Sequence, residues 1–196
     1  MFAGEAFSQL CLASGGVPRD FLSLWLRLAE TKLASNEKIG KIDVTDAAIN
    51  NIGSKLDAIR RDSGSETEVL ESYLYAIKQF VYSDKRTNTF LIAKDDLESY
   101  KQMKQAIREL VDMRLLHLID SNTSCAPSDG RRYEAFIIDV GLYDNSRPRN
   151  FSQLEPGSTD DRSRRDKLRA SPRIDVGSLA AKIGSDQIEI TCRSAT

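Results

Sequence analysis

Few residues in this chain have the type and spacing to do chemistry, and most of those stand alone. His117 is the sole histidine, set in the apolar run "LLHLID". Without a second imidazole to share a metal or relay a proton, it reads as a core or sheet-edge side chain. Cys11, Cys125 and Cys192 are odd in number and form no pair at metal-ligand spacing. Cys125 has no histidine nearby in sequence to draw off its proton, so it reads as an ordinary thiol. Asp95-Asp96 and Asp160-Asp161 are adjacent carboxylates, read as a helix cap and a solvated loop rather than a spaced acid and base. The residues with a collective chemistry are cations: Lys101, Lys104 and Arg108, with Gln105 between them, recur at helical spacing, and Arg131-Arg132 follow after a loop. Such a set could contact nucleic-acid phosphates. A further basic group, Arg162, Arg164, Arg165 and Arg169, is interleaved with Asp160, Asp161 and Asp166, which dilute it.

Composition narrows the classes. The chain has 196 residues, 40% hydrophobic and 29% charged, enough for one ordinary domain or two small ones. Lys and Arg number 28 against 29 Asp and Glu, giving a net charge of −1, so attraction to a polyanion must be local. No apolar stretch reaches the roughly 20 residues that span a bilayer. Glu5 sits where a secretory leader would carry positive charge, and the scattered cysteines fit a reducing compartment, so the expected location is the cytoplasm.

The elements that would position these residues follow from periodicity. Residues 4–13 read as a short helix broken at Ser14-Gly15-Gly16. Pro18 opens a second helix, in which Val17, Phe21, Leu24, Trp25 and Leu28, joined by Leu22 and Leu26, form a wide apolar stripe opposite Arg19, Ser23, Arg27 and Glu30. A third helix takes Asp43 as cap, aligns Val44, Ala48, Ile52, Leu56 and Ile59, and ends near Ser63-Gly64. From Glu66 the order is helix, the short β-prone run "NTFLIAK", a helical turn at 95–99, a helix with Tyr100, Met103, Ile107, Leu110 and Val111 inward, and two strands joined by a loop. That is the order of a winged helix, with strand, wing and strand at 115–119, 120–131 and 132–140. In such a module the second helix presents Lys101, Lys104, Gln105 and Arg108 to duplex DNA, with Arg131 and Arg132 beside the wing. Residues 144–196 are rich in Arg, Ser, Asp and Pro and are expected to be a flexible tail, with apolar residues returning at "IDVGSLAAKIG" and "QIEI".

The segment "ASGGVPRDFLSLW" resembles the sensor 2 segment of AAA+ and related P-loop ATPases, in which Gly-x-x-Arg opens a helix of the α-helical lid; here the match is Gly16-Val17-Pro18-Arg19. A lid followed by a winged helix is similar to the layout of origin-recognition-type initiator ATPases. The resemblance covers residues 1 to about 150. It implies a mainly α chain with a lid-like bundle over 1–63, a winged helix over 66–143 and the tail behind. It also implies that Arg19 approaches the terminal phosphate of ATP, where a planar, permanently charged guanidinium stabilises phosphate charge, while the glycines let the backbone pass close to the nucleotide. The chain departs from the family in one large respect. Gly40-Lys41 lacks the upstream glycine and following hydroxyl of a phosphate-binding loop, and no apolar strand ends in an acidic pair for Mg²⁺. ATP and Mg²⁺ therefore require a core on the same or another polypeptide, and a chain opening in the last helices before sensor 2 points to a truncated ATPase. Two other readings stay open: a free-standing winged-helix transcription regulator that dimerises through its N-terminal helices, and a protein-interaction adaptor.

Overall fold

Helix periodicity accounts for the N-terminal elements. In the computed structural model, which describes residues 2–62, 64–143, 148–154 and 161–183, α1 (Ala6–Ala13) buries Ala6, Leu10 and Ala13 at four- and three-residue intervals. Helix α2 (Pro18–Ala34) buries Leu24 and Leu28 and half-buries Phe21 and Trp25. Helix α3 (Lys41–Asp62) turns Val44, Ala48 and Ile52 to the same core. It begins two residues before the expected cap. Asp43 is not the N-cap but lies in the first turn, where its carboxylate reaches back to accept the Gly40 N–H at 2.7 Å. That hydrogen bond, aided by Lys32 at 3.0 Å, holds the Asp43 carboxyl below its ordinary pKa.

The apolar stripe of α2 is narrower than expected. Leu22 and Leu26 are 55% and 51% exposed. At 100° per residue they fall within about 60° of Arg19, on the side away from Leu24 and Leu28. They are surface, not core.

Helix α4 (Gly64–Lys78) buries Leu70, Tyr73, Leu74 and Ile77 and runs on into a π-helical turn, Gln79–Asp84, which buries Val81 and Tyr82. Strand β1 (Thr89–Ala93), helices α5 (Lys94–Ser99) and α6 (Lys101–Asp112), and strands β2 (Leu116–Thr123) and β3 (Tyr133–Ile138) follow, in the expected order. The sheet is antiparallel, in the order β1-β3-β2. Two strand boundaries differ from the sequence reading. Pairing of β2 continues through two irregularities to Thr123 opposite Tyr133. Asp139 ends β3 early, because its side chain accepts the Gly141 N–H at 2.8 Å and opens the 3₁₀ turn Val140–Leu142.

Strand alternation divides the apolar residues between two faces. Phe90, Ile92, Leu116, Phe136 and Ile138 belong to the main core with Met103, Ile107 and Leu110 of α6, and Phe90 stacks on Phe136 at 5.4 Å. Leu91, Ala93, Tyr133, Ala135 and Ile137 form a second cluster on the other face. Each fully buried Ile or Leu here stabilises the fold by about 1.5–3 kcal/mol.

The expected flexible tail differs in its described residues, which complete the sheet. Asn88, fully buried, accepts the Leu154 N–H and donates to the Leu154 carbonyl, at 2.8 and 2.9 Å. Residues 172–174 bridge to Leu91, with Leu91 N–H to Pro172 O at 2.8 Å and Ile174 N–H to Leu91 O at 2.9 Å, and so occupy the outer edge of β1. Helix α7 (Asp161–Arg169) inserts Leu168 into the second cluster, and α8 (residues 176–183) returns Val176, Leu179 and Ile183 to the main core. Composition misjudges this stretch because single apolar plugs and backbone bridges hold it. "QIEI" lies outside the described residues. No helix among the described residues is long and apolar enough to cross a membrane.

The bundle and the sheet module share one hydrophobic core, which runs from Ala6 to Ile183. Gly141 marks the closest approach: a Cβ there would stand 2.4 Å from the Ala48 carbonyl oxygen of α3.

Candidate functional site

Two surfaces carry the residues singled out by the sequence. The first begins at the glycines. Gly15 and Gly16 both have positive φ, 58° and 76°, and reverse the chain between α1 and α2. Gly15 has an internal reason for lacking a side chain. A Cβ at that position would lie 2.4 Å from the ring of His117 on β2. His117 is buried and its Nε2 pairs with the Asp139 carboxylate at 3.0 Å, while Asp139 also accepts the Gly141 N–H. One turn into α2, buried Asp20 pairs with Arg114 from the α6–β2 connection. Lys55 of α3 donates to the Arg114 carbonyl oxygen at 3.0 Å. Burial pulls the Lys55 ammonium below its ordinary pKa, opposed by the nearby charges of Asp139 and Asp20.

These contacts fix the glycine turn to the sheet module. Gly16 and Arg19 remain outside them, exposed, and Arg19 has no hydrogen bond or ion pair among the described residues. With Leu22 and Leu26 it lies on an exposed face of α2 that also carries Ser23, Arg27 and Glu30, so two leucines stand among polar and charged residues.

The second surface is α6 and the β2–β3 loop, residues 124–132. Its predicted cations are gathered there, but most are already paired. Lys104 meets Glu98 at 2.6 Å and Gln105 donates to Glu109 at 2.9 Å. Arg108 reaches across to Glu134 of β3 at 2.8 Å; Glu134 is buried and its second oxygen has no hydrogen-bond partner among the described residues. Arg131 is gripped by Asp96 at 2.5 Å and Asp95 at 2.9 Å, which raises its already high pKa further. These two aspartates sit in the first turn of α5, whose N-cap is Ala93, so they hold an arginine as well as facing the helix dipole. Only Lys101 and Arg132 of the predicted set are exposed and unpaired among the described residues.

The loop is itself tied down. Asp129 accepts from the Tyr133 hydroxyl and meets Arg173 at 3.1 Å, and its carboxyl is held down to about 2, chiefly by the Tyr133 hydrogen bond. Burial, then the Asp129 bond, pushes the Tyr133 phenol up to about 12. Cys125, within the loop, is buried.

Neither surface builds a polyphosphate site by itself. A shallow groove between α4 and α6, lined by Val69, Leu70, Gln102, Gln105, Ala106 and Glu109, offers amides, apolar carbons and a carboxylate but no cation. Among the described residues no three His, Cys, Asp or Glu side chains converge as metal ligands.

The chain matches no protein-family model, no curated protein and no solved structure. Functional inference rests on the geometry. Sequence reasoning missed Asp20, Arg114, Lys55 and Asp139, whose partners lie far away in the chain, up to 94 residues in the Asp20–Arg114 pair. The one available signal was a charged residue on an otherwise apolar helix face, as Asp20 is beside Phe21 and Leu24.

Proposed function

We propose that this chain is the lid and winged-helix portion of an initiator-type AAA+ ATPase, non-catalytic alone, which docks through α2 against a nucleotide-binding core and binds duplex DNA or a protein through its winged helix. The observation that carries the reading is the solvent face of α2. An unpaired Arg19 at the tip of a helix, followed one and two turns on by exposed Leu22 and Leu26, is a surface suited to close on an anionic ligand and an apolar wall together. The element order α4-β1-α5-α6-β2-β3 with strand order β1-β3-β2 supports the winged-helix assignment. ATP and Mg²⁺ would be held by the core, and Arg19 would contribute positive charge at the outermost phosphate.

The test is ATP hydrolysis by the polypeptide or complex that supplies the core. Arg19→Ala is expected to lower the rate by 10²-fold or more, on the scale of other cations aimed at transferring phosphate. Leu22→Asp with Leu26→Asp is expected to weaken association of the two bodies. Hydrolysis and association both unchanged would remove the lid reading. The internal pairing of Lys104, Arg108 and Arg131 favours a second reading, in which α6 docks a protein rather than a phosphate backbone.

A further inference from the structure

Helix α7 carries the densest positive charge in the described structure. Five of its nine residues are basic, Arg162, Arg164, Arg165, Lys167 and Arg169, against Asp161 and Asp166. Helix stability does not account for this arrangement. Lys167 and Arg169 suit the negative C-terminal end of the helix dipole, but Arg162 and Arg164 stand in the first turn, where positive charge is unfavourable. Nor are these cations spent inside the protein: Arg162, Arg164, Lys167 and Arg169 make no side-chain ion pair or hydrogen bond among the described residues, in contrast to the paired cations of α6.

The display is also rigid. Leu168, 4% exposed, plugs into the sheet face opposite α6. The end of the helix is anchored by Ala126 N–H to Arg169 O at 2.8 Å and by Ser171, whose hydroxyl bonds the Lys167 carbonyl and Thr89. Ala126 belongs to the same loop as exposed Arg132, so the basic helix and that loop are joined.

We infer that α7 is a sequence-independent nucleic-acid site, in which Arg162, Arg164, Lys167 and Arg169 bind the phosphate backbone on the side of the sheet away from α6. A nucleic acid fits better than a membrane. A helix that lies on lipid needs an exposed apolar stripe, and the one apolar residue of α7 is turned into the sheet. A nine-residue helix, roughly 13 Å long, runs alongside several phosphates of a duplex; at 100° per residue Arg162 and Arg169 flank one side of the direction opposite Leu168, and Lys167 with half-buried Arg164 the other. The inference shares a ligand with the proposed function but does not depend on the ATPase lid or on α6.

The experiment is anisotropy titration of a fluorescein-labelled 20-base-pair duplex of arbitrary sequence with the whole chain, between 50 and 200 mM KCl. Four phosphate contacts predict an affinity that falls roughly 150-fold over that range. Arg162→Gln/Arg164→Gln/Lys167→Gln/Arg169→Gln is expected to remove most of that salt dependence, and Lys38→Gln/Lys182→Gln, exposed lysines elsewhere on the surface, to leave it. Salt dependence unchanged in the fourfold variant would overturn the α7 assignment. Absence of wild-type binding at 50 mM KCl would overturn it too. Equal or tighter binding of wild type to an acidic polyglutamate peptide or to phosphatidylserine vesicles would overturn the choice of ligand. Should the fourfold variant fail to fold, photo-crosslinking of the wild type to bromodeoxyuridine-substituted duplex decides: crosslinked peptides must include residues 161–173, and crosslinks confined to α6 would refute the site.

Discussion

Gly15→Ala should be among the most damaging small substitutions in the molecule. An alanine Cβ would face the His117 ring at 2.4–2.6 Å from three of its atoms. A ring cannot yield locally, so the imidazole must move by about 1 Å to regain van der Waals distance. That displacement would break the 3.0 Å contact to Asp139, leaving buried polar groups short of a partner at a cost of about 1–3 kcal/mol. The left-handed backbone of Gly15 adds about 1–2 kcal/mol of strain for any residue with a side chain. The sum is about 2–5 kcal/mol, a large fraction of the stability of an ordinary domain. With a urea slope near 2 kcal/mol per molar, the unfolding midpoint should fall by about 1–2.5 M. Gly130→Ala provides the comparison, since Gly130 has φ 79° but nothing within 4 Å of its would-be Cβ; it should lose the strain alone, about 0.5–1 M. The double variant Gly15→Ala/His117→Ala should cost less than the sum of its singles, because deleting the ring removes the clash. Equal losses for Gly15→Ala and Gly130→Ala, or strict additivity in the double variant, would refute the reasoning.

Two further outcomes follow from the site geometry. Arg108→Ala should destabilise the chain by about 1–3 kcal/mol, read as a lowered urea midpoint, because it strands the buried Glu134 carboxylate; Arg108→Ala/Glu134→Gln should recover part of that loss. Asp129 has a folded pKa of about 2 against an ordinary 3.8, so its contribution is complete above about pH 4 and disappears as pH falls toward 2. Asp129→Asn should therefore flatten the acid limb of a midpoint-against-pH curve between pH 4 and 2, and an unchanged limb would show that its bond to Tyr133 adds nothing.

What the sequence disclosed divides along a physical line. Helices whose apolar residues recur at three and four, such as α3 and α6, were legible because burial of one face dictates the pattern. β1, buried along its whole length, and β3 with its buried Tyr133 and Phe136 were legible as short apolar-rich runs, because both of their faces are covered. Leu22 and Leu26 misled, since an apolar residue beside a stripe reads as part of it whether or not anything covers it. The site was legible as a set of positions but not as a state of charge. Lys104, Arg108 and Arg131 stand where the pattern placed them, yet Glu98, Glu134, Asp95 and Asp96 neutralise them, and each of those four comes from a different element than the cation it meets. The tail was the hardest stretch, because Leu154, Leu168 and Ile174 each dock singly and no period announces them.

The bridge of residues 172–174 onto β1 bears on where this chain can be cut. The sequence suggests a tidy fragment ending after Tyr143, just past the last strand. Such a fragment would lose both hydrogen bonds to Leu91 and the plugs that cover Leu91, Ala135 and Ile137, leaving one side of the sheet bare and its outer strand free to recruit another chain. A boundary beyond Ile183 keeps the strand occupied by its own polypeptide, so the segment that looks most dispensable is the one that keeps the molecule from sticking to itself.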